Sequence, residues 1–232
     1  SLYGVIEEAK RNPEVGKVYG AIGGTGAIFS ETFIDLTSFN DEKLKLLLHT
    51  PASAIGSSRY PLYEKDYEKM VDIFKKHDIK YVLLNGGNGT MDACGHIYEV
   101  CKDQDIKVVG IPKTIDNDIA MTDHSPGYGS AARFIAASTQ EVGEDVKSLP
   151  IHVCIMEAMG RNAGWITAAS ALARRKQGDA PHLIYLPERN FNEDEFLEDV
   201  AALQKKQGGV VVLVSEGPVS YTHLRAHETA AN

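Results

Sequence analysis

A short apolar run, Tyr81-Val82-Leu83-Leu84, ends in Asn85-Gly86-Gly87-Asn88-Gly89-Thr90, and this junction constrains the fold more than any other stretch of the chain. A turn so bare of side chains serves a close approach, by a phosphate or by another stretch of backbone. A helical segment from Met91 to Lys102 follows, and Lys107-Val108-Val109-Gly110-Ile111 supplies a second strand. Strand, glycine turn, helix and strand make a βαβ unit with a right-handed crossover, and such sheets gather their ligands at the carboxyl ends of the strands. Beyond the second strand lies Pro112-Lys113-Thr114-Ile115-Asp116-Asn117-Asp118, whose acid and amide side chains make no sense as core and read as a site.

The same alternation runs through most of the chain. Leu2, Val5, Ile6 and Ala9 mark a helical face, Lys17-Val18-Tyr19-Gly20 a strand, and Tyr67, Met70, Val71 and Phe74 another helical face. After a Gly- and Pro-containing stretch, Ser125 to Ser130, the pattern predicts a helix through Phe134, Ile135 and Ser138, then a strand at His152 to Met156. A helix from Trp165 to Arg174 and a strand at His182 to Leu186 come next. Asn192 with Glu195 three residues on reads as an N-cap opening a helix to about Gln207, and Val210 to Val214 as a buried parallel strand ending in Ser215-Glu216-Gly217. The chain opens inside a helix where a parallel sheet would first need a strand, and residues 218–232 continue neither period, so the first is expected to lack its opening strand and the second to be a non-native tail.

At 232 residues with 43% hydrophobic side chains, the chain is long enough to bury a sizeable core in one large or two modest domains. A net charge of -8 with scattered Lys and Arg argues against nucleic-acid binding. The sequence has no long apolar run to span a membrane, and Cys94, Cys101 and Cys154 lack metal spacing, so a reducing cytoplasm is the expected location. Cys94 and Cys101 share a helical face and read as small core hydrophobes.

The glycine turn would aim backbone N–H groups and the positive end of a helix dipole at a phosphate, although tight packing alone also produces such turns, and NAD and lipid kinases carry a similar loop. Asp116 and Asp118 would point to the same side of an extended strand end, one accepting the proton of an attacking alcohol and the other holding Mg²⁺. The plainer alternative is an Asx-turn in which these side chains cap local backbone. Arg161, after a glycine at a strand end, offers a planar fork to a phosphate or, less interestingly, to a surface carboxylate.

Taken together these motifs resemble the phosphofructokinases across residues 1–217. Gly86-Gly87-Asn88-Gly89-Thr90 is similar to the family's donor-phosphate loop, Pro112 to Asp118 to its catalytic segment, Gly56-Ser57-Ser58-Arg59-Tyr60 to its phosphate-contacting turn, and Met159-Gly160-Arg161 to its sugar-phosphate clamp. The resemblance implies Asp116 as the base on the sugar 1-hydroxyl, with Thr114, Lys113 and Arg161 as further catalytic groups. It implies Thr114, Asp116, Asp118, Met159, Gly160, Arg161 and Glu216 around fructose 6-phosphate, and Arg59, Tyr60 and Gly86 to Thr90 around the donor. Mg²⁺ would sit at Asp118 and Asn88, and Asn88 departs from the family's usual Asp, which weakens that anchor.

The implied architecture is two Rossmann-like parallel-sheet α/β domains with a cleft between, the second incomplete: a donor domain over 1–127, a sugar-phosphate domain over 128–217 and the tail over 218–232. The implied reaction is the glycolytic phosphorylation of fructose 6-phosphate, by a homo-oligomer when full length. Members that use pyrophosphate tend to carry Asp where Gly89 stands and Lys where Lys113 stands, and many ATP users carry Gly at both. Since Gly89 leaves room for ATP, ATP is the expected donor and pyrophosphate the alternative. A non-catalytic subunit that senses nucleotide or sugar phosphate is the rival from another class; retention of Asp116 argues against it.

Overall fold

The computed structural model describes residues 1–149 and 153–216 and contains eight α-helices and seven strands among them. Expectations for His152, Gly217 and the 218–232 tail lie outside the described residues. The chain divides into two compact units, Ser1–Ile111 and everything from Pro112 onward. Residues 112–127 thus group with the second unit rather than the first: the Thr114 N–H donates to the Pro126 carbonyl at 3.1 Å, Thr114 bridges to Gly127, and Ile115 packs on the second unit's core.

In the first unit, α1 (Leu2–Arg11) buries Ile6 against Leu36 and Leu44. Strand β1 (Tyr19–Ala21) is followed by the short helix α2 (Gly26–Phe29) and pairs antiparallel with β2 (Phe33–Asp35). That hairpin departs from the all-parallel expectation, since β2 is too short and mixed to announce itself by periodicity. A further short helix, α3 (Asp41–Lys45), is capped by the Asn40 side chain. Helix α4 (Glu64–Lys76) buries Tyr67, Met70, Val71 and Phe74, the face its spacing predicts. The Asp66 carboxylate holds its N-terminus by accepting the Tyr63 N–H at 3.0 Å.

Helix α4 packs with β3 (Tyr81–Gly86), α5 (Asn88–Cys101) and β4 (Lys107–Pro112), where Val82, Leu84, Cys94, Ile97 and Cys101 complete one core. Burial raises the thiol pKa of Cys94 and of Cys101, as expected of core hydrophobes. Strands β3 and β4 pair, and the Asn85 side chain donates from Nδ2 to the Ile111 carbonyl at 2.8 Å where they end.

The second unit is built on a parallel sheet in the order β5 (Val153–Ala158), β7 (Val210–Ser215), β6 (Leu183–Tyr185). Helices α6 (Tyr128–Ser148), α7 (Trp165–Ala169) and α8 (Glu193–Gln207) accompany it, the last opening where Asn192 Oδ1 accepts the N–H groups of Asp194 and Glu195. Helix α7 is shorter than the predicted Trp165 to Arg174 because its continuation, Ser170–Ala173, tightens into a 3₁₀ turn. Central strand β7 has Val210, Val211, Val212 and Leu213 fully buried. Val211 and Leu213 share a cluster with Ile135 of α6 and Ile166 of α7. No helix among the described residues is long and apolar enough to cross a membrane.

Because Leu213 has no exposed surface, Leu213→Ala should cost about 2–5 kcal/mol. In urea unfolding its midpoint should fall with an unchanged slope; a midpoint equal to that of the unsubstituted protein would contradict the packing described.

Candidate active site

The glycine run after β3 is tighter than a free loop. A side chain at Gly86 would bring its Cβ to 2.1 Å from Thr90 Oγ1, so only glycine lets the first helical turn sit so closely over the strand end. The N–H groups of Thr90 and Met91 both donate to the Gly87 carbonyl at 3.0 Å. Asn88, Gly89 and Thr90 therefore form the first turn of α5, not a loop before a helix at Met91. Backbone N–H groups and the positive helix end together favour an anion here. Apart from its chain neighbours and the backbone of its own helix, no heavy atom lies within 4 Å of where a Cβ on Gly89 would stand.

A second glycine cluster, Gly23-Gly24-Thr25-Gly26 between β1 and α2, went unread in the sequence, although it repeats the Gly-Gly-x-Gly pattern. The Gly23 N–H donates to the Ile55 carbonyl at 2.8 Å. Gly24 has φ +70°, and a Cβ on it would stand 2.9 Å from the Ser58 nitrogen. Ser58 Oγ accepts the Tyr60 N–H at 2.9 Å, and the Tyr60 and Phe29 rings lie 5.3 Å apart. The Gly24 loop is thus the bed on which the turn bearing exposed Arg59 rests. Arg59, Tyr60 and Gly86 to Thr90 all belong to the first unit.

The remaining expected site residues belong to the second unit. Lys113 is exposed just beyond β4, and Thr114 is buried, its Oγ1 accepting the Asp116 N–H at 3.2 Å. Asp116 and Asp118 do not lie on an extended strand end as expected. Strand β4 stops at Pro112, the chain bends at Ile115 and Asp116, and Asn117 takes a left-handed φ of 59°. Asn117 is itself buried: its Oδ1 accepts the Ser125 N–H at 2.7 Å and its Nδ2 donates to the Asp123 carbonyl at 3.2 Å. The side chain between the acids therefore serves the backbone, as the turn alternative would have it, and leaves the acids to the site.

The link from β5 to α7 carries exposed Met159, buried Gly160 at φ 137° and exposed Arg161 at φ 52°. Glu216, just after β7, accepts the N–H groups of Gly160, at 3.1 Å, and of Arg161 on a single carboxylate oxygen. Ser215 Oγ adds a bond to the Arg161 carbonyl at 3.3 Å. The Asp116 carboxyl is held above the usual carboxylate range, first by burial and then by the charge of Asp118, with Glu216 adding to the shift. The Thr114 hydrogen bond and the Arg161 charge work the other way. Asp116, Thr114, Asp118, Arg161 and Glu216 thus form one electrostatic group, and a half-buried carboxylate with a raised pKa is suited to receive a proton.

Among the described residues no group of three or more His, Cys, Asp or Glu side chains could hold a metal alone. Of the two positions expected to hold Mg²⁺, Asp118 is an exposed carboxylate of the second unit, and Asn88, in the first unit, offers only a neutral oxygen.

The profile of the family named Phosphofructokinase matches residues 2–230. The pyrophosphate–fructose 6-phosphate 1-phosphotransferase of Rhodospirillum rubrum is 42% identical over 94% of this chain, covering 54% of its own length. Its namesake from Halomonas elongata is 40% identical over the same shares of the two chains. The crystal structure of the pyrophosphate-dependent phosphofructokinase from Nitrosospira multiformis superposes with a TM-score of 0.86 at 38% identity, over 93% of this chain and 56% of that one. The chain spans about half the length of the curated relatives it matches. With a matching profile over nearly its whole length and relatives at this identity, the chain belongs to the phosphofructokinase family.

Proposed function

We propose that the protein containing this chain transfers a phosphoryl group from pyrophosphate to the 1-hydroxyl of fructose 6-phosphate, giving fructose 1,6-bisphosphate and inorganic phosphate. The observation that carries the chemistry is Asp116, a half-buried carboxyl of raised pKa with Thr114, Asp118, Arg161 and Glu216 acting on it. Pyrophosphate replaces the expected ATP because the relatives at about 40% identity are named for it. Of the two positions that pointed opposite ways, Lys113 is the better guide and Gly89 the poorer. Three cysteines without a disulfide among the described residues accord with a cytoplasmic enzyme.

In this reading Asp116 accepts the hydroxyl proton as the sugar oxygen forms its bond to phosphorus and the bridging P–O bond breaks. The leaving phosphate takes the bridging oxygen, and exposed Lys113 offsets its charge. Arg161 and Met159 hold the sugar phosphate on the turn that Glu216 fixes, and by resemblance Arg59 serves the transferred phosphate. Asp118 would hold Mg²⁺, which when bound would supply neutralisation of phosphate charge.

Asp116→Ser should lower kcat by roughly 10²–10⁴-fold with a far smaller change in the KM for fructose 6-phosphate; unchanged turnover would remove Asp116 from the base role. The same carboxyl gives a stability prediction. Its folded pKa is raised, so it costs nothing below its unfolded value near pH ~3.9, and stability is lost as the pH climbs through the folded value. Asp116→Asn should therefore melt higher than the parent at neutral pH, with the gap closing under strong acid; a gap that persists there would assign the effect to something other than ionisation. Donor choice is read by steady-state assays with each donor. Gly89→Asp has room in the protein, so it should fold normally, retain pyrophosphate use and suppress any ATP use through bulk and like charge. Turnover of the unsubstituted full-length protein with ATP alone would overturn the donor assignment.

A further inference from the structure

We infer that Asn117 is a positioning residue, a lock whose two amide bonds hold the Thr114 to Asp118 segment in the one arrangement that presents Asp116 to the sugar hydroxyl. The inference rests on the proposed reaction for its kinetic readout, but its structural content is independent of it.

A left-handed residue between two acids is a place where the chain could choose among conformations, since this region is open to few side chains and Asn is among them. What removes the choice is on either side of the ring it closes. Asn117 Oδ1 accepts the Ser125 N–H at 2.7 Å, and its Nδ2 donates to the Asp123 carbonyl at 3.2 Å. Three residues before Asn117, the Thr114 N–H donates to the Pro126 carbonyl. Segment 114–117 is thereby stitched to 123–126, and the stitch runs straight into the N-terminus of α6 at Tyr128. Asn117 is 5% exposed, so an amide left unpaired there would carry the full cost of a buried polar group. The bonds are accordingly kept, and Asp116 and Asp118, one residue to each side, inherit a fixed backbone. Aspartate could reproduce only half of this, because it accepts from Ser125 but has no N–H to give Asp123.

Three forms of the full-length protein test the lock: the parent, Asn117→Gly and Asn117→Asp. Glycine keeps access to positive φ and removes both side-chain bonds; aspartate keeps the acceptor and adds a charge beside Asp116. With fructose 6-phosphate and pyrophosphate, Asn117→Gly should lose on the order of 10²-fold in kcat, the scale of a misplaced catalytic group. Its KM for fructose 6-phosphate should stay within about threefold, because the Met159 to Arg161 turn is held by Glu216 and not by Asn117. The second readout is amide hydrogen exchange at Asp116 and Ser125. Exchange at Asp116 should quicken in Asn117→Gly, while Ser125 should stay slow in Asn117→Asp, which keeps the acceptor for its N–H. A kcat for Asn117→Gly within about threefold of the parent would overturn the lock. So would a lower melting temperature with the Asp116 amide exchange unmoved, which would make Asn117 a stabiliser only. If the parent turns over neither donor, the proposed reaction falls while the exchange rates still support or overturn the lock.

Discussion

The second unit's site hangs on the register of β7 against β5, and one carboxylate makes that dependence concrete. Ser215 lies opposite Ala158, which puts Glu216 level with the Gly160-Arg161 turn and lets a single oxygen take both N–H groups. A slip of one residue would turn the side chains of β7 to the opposite faces and move Glu216 out of reach. The fully buried Val210 to Leu213 run forbids that slip, because either face of the strand would then lose its packing. Hydrophobic burial in the strand thus fixes a polar contact beyond its end, and that contact fixes the arginine.

The arrangement around Asp116 is not the most stable one available to the chain. Burial beside Asp118 and Glu216 opposes its ionised form, and only Thr114 and Arg161 favour it. A carboxyl kept at raised proton affinity draws on the stability of the surrounding fold, here the β5-β7-β6 sheet and the helices on it.

Elements whose pattern is local were legible in the sequence. The buried face of α4, the Asn192 cap of α8 and the core role of Cys94 and Cys101 follow from spacing alone, since each is decided within one or two helical turns. The family was legible too, through the resemblance of four short stretches to it. What escaped depends on partners distant in the chain or on weak signals. Asn117 looked like a member of the acidic group because Ser125 and Asp123 are invisible to a motif. The Gly23 to Gly26 loop showed its purpose only when Ser58 was seen against Gly24. The β1-β2 hairpin has strands of three residues, below what alternation can reveal. The donor turned on two positions that disagreed, and no local physics ranks them.

The empty surroundings of Gly89 bear on how such an enzyme can change. A Cβ there would meet nothing within 4 Å beyond the chain immediately around it, so the position escapes much of the packing constraint that makes most positions in a fold costly to alter. Some glycine codons become aspartate codons by a single base change. A lineage could therefore try a new phosphoryl currency one nucleotide at a time, with each trial folding as well as the last.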